Sequence, residues 1–302
     1  MPDVISIGAV NIDIIARVDR FPAIDEEVAV LDLETFHGGS AANVAVGVSR
    51  LGCSSGFVGI VGTDRFGDML IEELETEGVD ISHLKRVIGN SGLVFAAVSQ
   101  NGDRVLYSSK GASSSFNRSI IPVDYIKESK ILHLTSIIAD EAIDALGFAS
   151  SIAHDSNAKT IFDPGLIFSE KGIDALSSIL KNSYIVLPSQ IEAYMLTGLK
   201  GKDAGRKILE YGPEVVIITQ GEKGCLFITR DSARKISAVK SKAVDTTGAG
   251  DSFAAGLISA LLENKNIEDA VEFASFVASI SVTHRGARTT PFKEGTTTRT
   301  EI

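Results

Sequence analysis

Val4-Ile5-Ser6-Ile7-Gly8-Ala9 is a short apolar run, rich in β-branched residues and stopped at Gly8, which is how a strand buried on both faces of a parallel sheet reads. Similar runs recur at 55–61, 131–135, 160–163, 184–187 and 215–219. Helical patterns fill most of the intervals, at 41–51, 66–77, 140–154, 171–180 and 191–197, and two more, 252–262 and 267–281, close the chain. Strand and helix in alternation predict an α/β fold with a central, mostly parallel sheet.

Two pairs of segments break the alternation. Residues 14–18 with 27–33, and 93–99 with 104–109, read as antiparallel strands, the second pair joined through Asn101-Gly102, a two-residue hairpin signal. They form either a small sheet standing off the main one or an extension of it, and the pattern leaves both open. The Thr-rich tail, 293–302, is expected to fray.

With 302 residues and 44% hydrophobic content, the chain can bury one sizeable core without disulfide or metal staples. Its net charge of −10 and the absence of a Lys/Arg stripe with interleaved aromatics exclude nucleic acid as the expected partner. A cluster of backbone amides can still hold a phosphate in an acidic protein. Cys53 and Cys225 lie far apart with no metal-ligand spacing, which suits free thiols in a reducing compartment. The apolar start breaks at Gly8 and Asp13, so neither signal peptide nor membrane span is expected, and the expected location is cytoplasmic.

The stretch Asp245-Thr246-Thr247-Gly248-Ala249-Gly250-Asp251 precedes a helix of small apolar residues. Two glycines around one alanine bend the backbone and converge successive N–H groups, and the helix dipole adds to them, which makes an anion hole. A carboxylate at its lip repels a phosphate, so Asp251 reads as a group with a task, accepting a proton from a hydroxyl that attacks phosphorus. The bland alternative is a capped helix start, with Asp251 or Thr247 as the N-cap. No G-x-x-x-x-G-K-[ST] occurs, and no G-x-G-x-x-G follows the first strand, so P-loop and dinucleotide readings lose their support.

Asn11 and Asp13 follow the first strand, where ligands collect in open α/β sheets. Downstream, His37-Gly38-Gly39-Ser40-Ala41-Ala42-Asn43 opens a helix of small residues, letting a ligand approach the backbone at Gly38-Gly39 with Asn43 facing the same space. Amide, carboxylate and backbone N–H together suit a polyol. The bland alternative makes Asn11 and Asp13 Asx-turns and Asn43 a surface residue.

Taken in order, Gly8-x-x-Asn11-x-Asp13, Gly38-Gly39-x-x-x-Asn43, Gly59-x-x-Gly62-x-Asp64-x-x-Gly67, Asp163-Pro164, Thr219-x-Gly221-x-x-Gly224 and Asp245 to Asp251 resemble the ribokinase family, also called PfkB carbohydrate kinases. The resemblance implies a single kinase domain over 1–302: a doubly wound sheet flanked by helices, with a small β-sheet lid from strands near 14–35 and 93–110. It implies transfer from ATP with Mg²⁺, often with K⁺. It makes Asp251 the catalytic base and the amides of Gly248, Ala249, Gly250 and Asp251 the hole for the transferring group. Asn11, Asp13, Gly38, Gly39 and Asn43 match substrate-binding positions, and Thr219, Gly221 and Gly224 a loop beside the nucleotide. Asp245 and Thr247, with carbonyls near Ser281 and Gly286, correspond to a monovalent-cation site.

Two positions depart from the family. Its usual Asn-x-x-Glu is here Ser189-Gln190-Ile191-Glu192, so Glu192 is expected to organise Mg²⁺ through water and the shorter Ser189 to reach the nucleotide phosphates only through water. In ribokinases the Gly-Gly turn is commonly followed by Lys, and here by Ser40. Lys110 offers a cation for a carboxylate or phosphate of the substrate, or is a solvated turn residue, and Phe36, Phe95 and Phe116 offer a stacking surface for a base, or a small core. The expected acceptor is a sugar or sugar acid; the alternatives are a nucleoside and a non-catalytic carbohydrate-binding role. A homodimer through the lid is also expected.

Overall fold

The computed structural model describes residues 1–296; of the segment 293–302 where fraying was expected, Lys293–Thr296 forms a 3-10 turn with Lys293 paired to Glu263, and 297–302 lie outside the described residues. Along the chain the strands are β1 (Val4–Ile7), β2 (Asn11–Val18), β3 (Val30–Gly38), β4 (Ser55–Gly62), β5 (Leu84–Val87), β6 (Gly92–Ser99) and β7 (Arg104–Ser109). They continue as β8 (Ile131–Thr135), β9 (Lys159–Asp163), β10 (Ile185–Val186), β11 (Val215–Thr219), β12 (Cys225–Ile228) and β13 (Ala233–Ile236). Nine form one sheet in the order β13-β12-β11-β10-β9-β8-β1-β4-β5. It is parallel except where β12 runs against β11 and β13. The other four form a separate sheet, β3-β2-β6-β7, which answers the question the hairpin pattern left open.

Burial on both faces explains why the strands read as unbroken apolar runs. Ile5, Leu132, Phe162, Val186 and Val216 pack into one core, which includes Ala145, Leu146 and Ala149 of the helix Ala142–Asp155. Their neighbours Val4, Ile131, Ile161, Ile185 and Val215 pack into another against the helices Ala249–Leu262 and Ile267–Ser281. Alternate residues of each strand thus serve opposite layers.

β1 lies between β8 and β4, so the chain winds outward from it in both directions. The crevice at its carboxyl end is where such sheets bind ligands. β2 leaves there at once, carrying Asn11 and Asp13 into the small sheet instead of leaving them at a strand exit. Strand β2 fixes what that sheet shows to the crevice: Asn11, Asp13, Ile15 and Arg17 share one face. On the other face, Ile12 packs with Phe57, Val61 and Leu70 of the main body, while Leu33, Val105 and Tyr107 stand exposed. The turn at Asn101-Gly102 spans four residues between β6 and β7, with only Gly102 in the left-handed region, at φ 85°.

Some expected elements are shorter or absent from the pattern. The helix expected at 171–180 is a 3-10 turn, Asp174–Leu176, followed by Ser177–Leu180. The helix Gly201–Leu209 and the strands β5, β12 and β13 carried no reading. The motif Gly62-x-Asp64-x-x-Gly67 is structural: Asp64 caps the helix Arg65–Thr76 by accepting from the Gly67 amide, and also accepts from the Ser91 amide and hydroxyl, tying β4 to the start of β6.

His133 sits inside β8, fully buried opposite Ser6 of β1, with neither ring nitrogen bonded to a protein group among the described residues. Burial pushes its pKa from 6.5 down to about 3. The folded chain keeps it neutral while the unfolded chain protonates it, so its contribution to stability is lost as pH falls from 6.5 toward 3. Between pH 8 and pH 5, His133→Leu should gain about 2 kcal/mol of stability relative to the parent in urea unfolding. Parallel pH profiles of the two proteins would show that the imidazole protonates equally in both states.

Candidate active site

The helix Ala249–Leu262 begins at Gly248, whose φ of 73° places the turn in the left-handed region. A Cβ there would strike the carbonyl of Ala287, so the position requires glycine. No side chain caps this helix, which removes the bland reading of Asp251 or Thr247 as an N-cap. The Ala249 amide donates to the Thr246 carbonyl at 3.2 Å. Among the described hydrogen bonds the amides of Gly248, Gly250 and Asp251 have no protein acceptor, which leaves three of the four expected donors for an anion.

Asp251 does not point into solvent. Ser40 Oγ donates to its Oδ1 at 2.5 Å and Asn43 Nδ2 to its Oδ2 at 2.7 Å. Both donors come from the helix Ser40–Arg50, whose turn at Gly39 (φ 95°) packs against the Ala9 backbone beyond β1. The upstream and downstream halves of the motif set therefore meet at one carboxylate, and Asn43, at 5% exposure, is no surface residue. Burial pushes the Asp251 carboxyl up to about 6; the Ser40 and Asn43 hydrogen bonds oppose the rise and the charge of Glu192 adds to it.

Asn11 and Asp13 are joined by a hydrogen bond from the Asn11 amide to Asp13 Oδ1. The Asp13 carboxylate occupies the space a Cβ on Gly38 would need. Burial raises Asp13 to about 6, against the hydrogen bond from Asn11 and the charge of Arg288. A cavity of about 850 Å³ opens beside these groups, between the small sheet and the main body. Asn11, Asp13, Gly39, Ser40, Lys110 and the Asp245–Thr247 turn line it.

Arg288 carried no signal in the sequence, and it organises this site from behind. Its side chain is 5% exposed. Nε donates to Asn43 Oδ1 at 2.9 Å, Nη2 donates to the Gly38 carbonyl at 3.0 Å, and Nη1 is ion-paired with Glu73. Binding Asn43 through its oxygen turns the amide nitrogen toward Asp251.

The remaining expected residues fall into two groups. Asp245 accepts from the Thr247 amide and hydroxyl and from the Gly286 amide. Burial opposes them, yet these bonds hold its carboxyl below the usual range. Next to Ser281, the Val282 carbonyl accepts from the amides of Val244 and Asp245, while the Ser281 hydroxyl is bonded to those of Ser252 and Thr289. On the other side Ser189 bridges to Thr219, the loop Gly221–Lys223 follows, and the Gln220 amide donates to the Gly224 carbonyl. Ser189 and Glu192 form a capping box, in which Glu192 Oε2 accepts from the Ser189 amide at 2.7 Å. The Glu192 charge nonetheless reaches the site, raising Asp163 as well as Asp251 after burial has done so. The three phenylalanines do not gather at the cavity. Phe116 is in the main core, Phe36 lies against Gly286, and Phe95 neighbours Tyr107 in the small sheet, with the cavity lined by its flanking residues Val94 and Ala96.

Residues 1–294 match the profile of the pfkB family carbohydrate kinases. The chain belongs to this family. A ribokinase of Thermotoga maritima superposes with a TM-score of 0.87 at 31% identity, covering 98% of each chain. The chain is also similar to an uncharacterized sugar kinase of Archaeoglobus fulgidus, 34% identical over 243 residues, 80% of this chain and 97% of the relative. A nucleoside kinase of Methanothermobacter thermautotrophicus is 31% identical over 288 residues, covering 95% and 91%. The fold is thus ribokinase-like, and relatives of both sugar and nucleoside type are within the same range of identity. No helix among the described residues is long and apolar enough to cross a membrane.

Removing one partner of a buried ion pair leaves the other uncompensated. Arg288→Met should therefore cost about 3 kcal/mol in urea unfolding. Arg20→Met, at the exposed pair with Glu26, should leave the unfolding midpoint nearly in place. Equal midpoints for Arg288→Met and the parent would remove Arg288 from its organising role.

Proposed function

We propose that this family member transfers the γ-phosphoryl group of ATP to a primary hydroxyl of a small sugar or sugar acid in the cytosol, as one kinase domain with the small sheet as its lid. The observation that carries the reading is the Asp251 carboxylate, held by Ser40 and Asn43 beside the unbonded amides of Gly248 and Gly250. In this reading the acceptor lies along Asn11, Asp13, Gly38, Gly39 and Asn43. As its oxygen attacks the γ-phosphorus, its proton passes to Asp251 and the new O–P bond forms. The bond from phosphorus to the bridging oxygen breaks, and ADP leaves. The amides of Gly248, Gly250 and Asp251 meet the charge on the transferring group.

Ser189, Thr219, Gly221 and Gly224 are assigned to the nucleotide side. Glu192 is assigned to Mg²⁺ through water: its charge acts on Asp163 and Asp251, while among the described residues no three such side chains stand close enough to hold a metal ion directly. Bound there, the ion would neutralise phosphate charge. Asp245, Thr247, Ser281 and Gly286 are assigned to a monovalent cation, and the lowered carboxyl of Asp245 fits that use. The dispersal of Phe36, Phe95 and Phe116 favours a sugar over a nucleoside, because no aromatic ring among the described residues lines the cavity. The joint presence of Asp251, Gly248 and Gly250 favours an enzyme over a carbohydrate-binding relative.

Asp251→Asn should lower kcat by roughly a hundredfold to ten-thousandfold in a coupled ADP assay, with acceptor binding retained. A base at about 6 must be ionised to work, so kcat of the parent should fall tenfold per unit below about pH 6. Ser40→Ala should move that limb upward, because the Ser40 hydroxyl stabilises the ionised form. Undiminished turnover in Asp251→Asn would exclude Asp251 as the base. In the same assay, exchanging K⁺ for tetramethylammonium reads the cation site.

A further inference from the structure

Of the three partners that hold the Arg288 guanidinium, Glu73 alone is an anion, and it stands outside the cavity lining. Glu73 belongs to the helix Arg65–Thr76, and its carboxylate is shared: Oε2 pairs with Arg288 Nη1, and Oε1 lies 3.6 Å from His37 Nδ1. Burial and the charge of Arg288 hold the His37 imidazole below its usual pKa, so at neutral pH the imidazole is uncharged and Glu73 answers the guanidinium. Burial brings Arg288 down to about 9, which leaves it charged at neutral pH. A buried guanidinium without a carboxylate is strongly destabilising, so one that loses its partner is drawn to another.

Asp13 is the carboxylate placed to take it. Gly38 stands between the two groups: Arg288 Nη2 donates to its carbonyl at 3.0 Å, and the Asp13 carboxylate fills the space of its missing Cβ. The charges already act on each other, Asp13 opposing the fall of Arg288 and Arg288 the rise of Asp13. Among the described residues, however, no hydrogen bond or ion pair joins them. Asp13 Oδ1 accepts from the Asn11 amide, and Oδ2 has no protein donor among the described hydrogen bonds. Asn11 is the register partner of Gly38 and His37 that of Ile12, so Glu73 and Arg288 grip β3 directly beside the pair that lines the cavity.

We propose that Glu73 is a positioning residue for acceptor binding: it keeps the Arg288 guanidinium on Asn43 and Gly38 and off Asp13, which leaves Asp13 Oδ2 for a hydroxyl of the acceptor. This rests on the assignment of Asn11, Asp13 and Gly38 to the acceptor in the kinase reading above. Glu73 acts only through Arg288. Without its charge the guanidinium pairs with Asp13 and takes the place of the acceptor hydroxyl.

Glu73→Gln keeps the shape of the side chain and removes the charge. Kinetics would use whichever of ribose, fructose, glucose and gluconate the parent phosphorylates best. Acceptor KM should rise at least tenfold, with the KM for ATP in place and kcat changed less than acceptor KM. Glu73→Asp, which keeps the charge, should recover most of the loss. Glu75→Gln, an exposed change of equal charge on the same helix, should leave acceptor KM where it is in the parent. In a crystal structure of Glu73→Gln the guanidinium should contact Asp13. An unchanged acceptor KM, or a guanidinium still on Asn43 and Gly38, overturns the proposal. If Glu73→Gln fails to fold, Arg288→Met and the double variant Glu73→Gln/Arg288→Met decide. Equal acceptor KM in the two supports the proposal, since without the guanidinium Glu73 has nothing to hold; a KM raised further in the double variant overturns it. If no acceptor turns over in the parent, the kinase reading fails separately, and the crystal structure still decides where the guanidinium goes.

Discussion

Two hydrogen bonds to one carboxylate join the halves of this site. Ser40 and Asn43 stand 211 and 208 residues before Asp251, and both donate to it. The helices that carry them pack together, so the carboxylate lies between two helix N-termini whose dipoles favour negative charge. Burial raises the cost of that charge, and the two donors and dipoles offset part of it. The outcome, a carboxyl near 6, is a group ionised at neutral pH and still basic enough to take a proton.

Holding the donors in place is the work of the residues behind them. Arg288 fixes Asn43 through its amide oxygen and the Gly-Gly turn through the Gly38 carbonyl, while Glu73 balances its charge. Arg50 secures the segment that carries Arg288, donating to the Arg288 carbonyl at 2.7 Å and pairing with Glu77. This cluster of short side chains is thus held by two arginines outside the cavity lining.

Much of the fold was legible because its strands are buried on both faces and its helices are amphipathic or small-residue rich, as at Val4–Ile7 and Ala249–Leu262. β12 and β13 escaped notice because they are four residues each and β13 is half polar. The helix Gly201–Leu209 begins with Gly-Lys-Asp, which reads as a loop until its buried Ala204, Ile208 and Leu209 are seen in place. At the site, Asp251, Asn43 and the glycines stood out only through the family resemblance, since each alone read as well as a helix cap or a surface residue; the structure brings Asn43 and Asp251 together. The pairing of Ser40 with Asp251 was not legible, since nothing local relates residues so far apart. Arg288 was invisible for a different reason: a lone basic residue in a polar stretch gives no sign that it will be buried. The Ser189-x-x-Glu192 spacing was read for its metal, and it also satisfies the local demand of a helix start, a capping box.

The central claim is that Asp251 is a buried carboxylate tuned by its two donors. It is tested most directly by titrating ¹³C-labelled aspartate by NMR in the parent, with Asp251→Asn used to assign the resonance. A midpoint near 6 is the expected result. A midpoint at the ordinary value of about 4 would contradict the account, because the carboxyl would then be solvated and free of the burial on which its role depends.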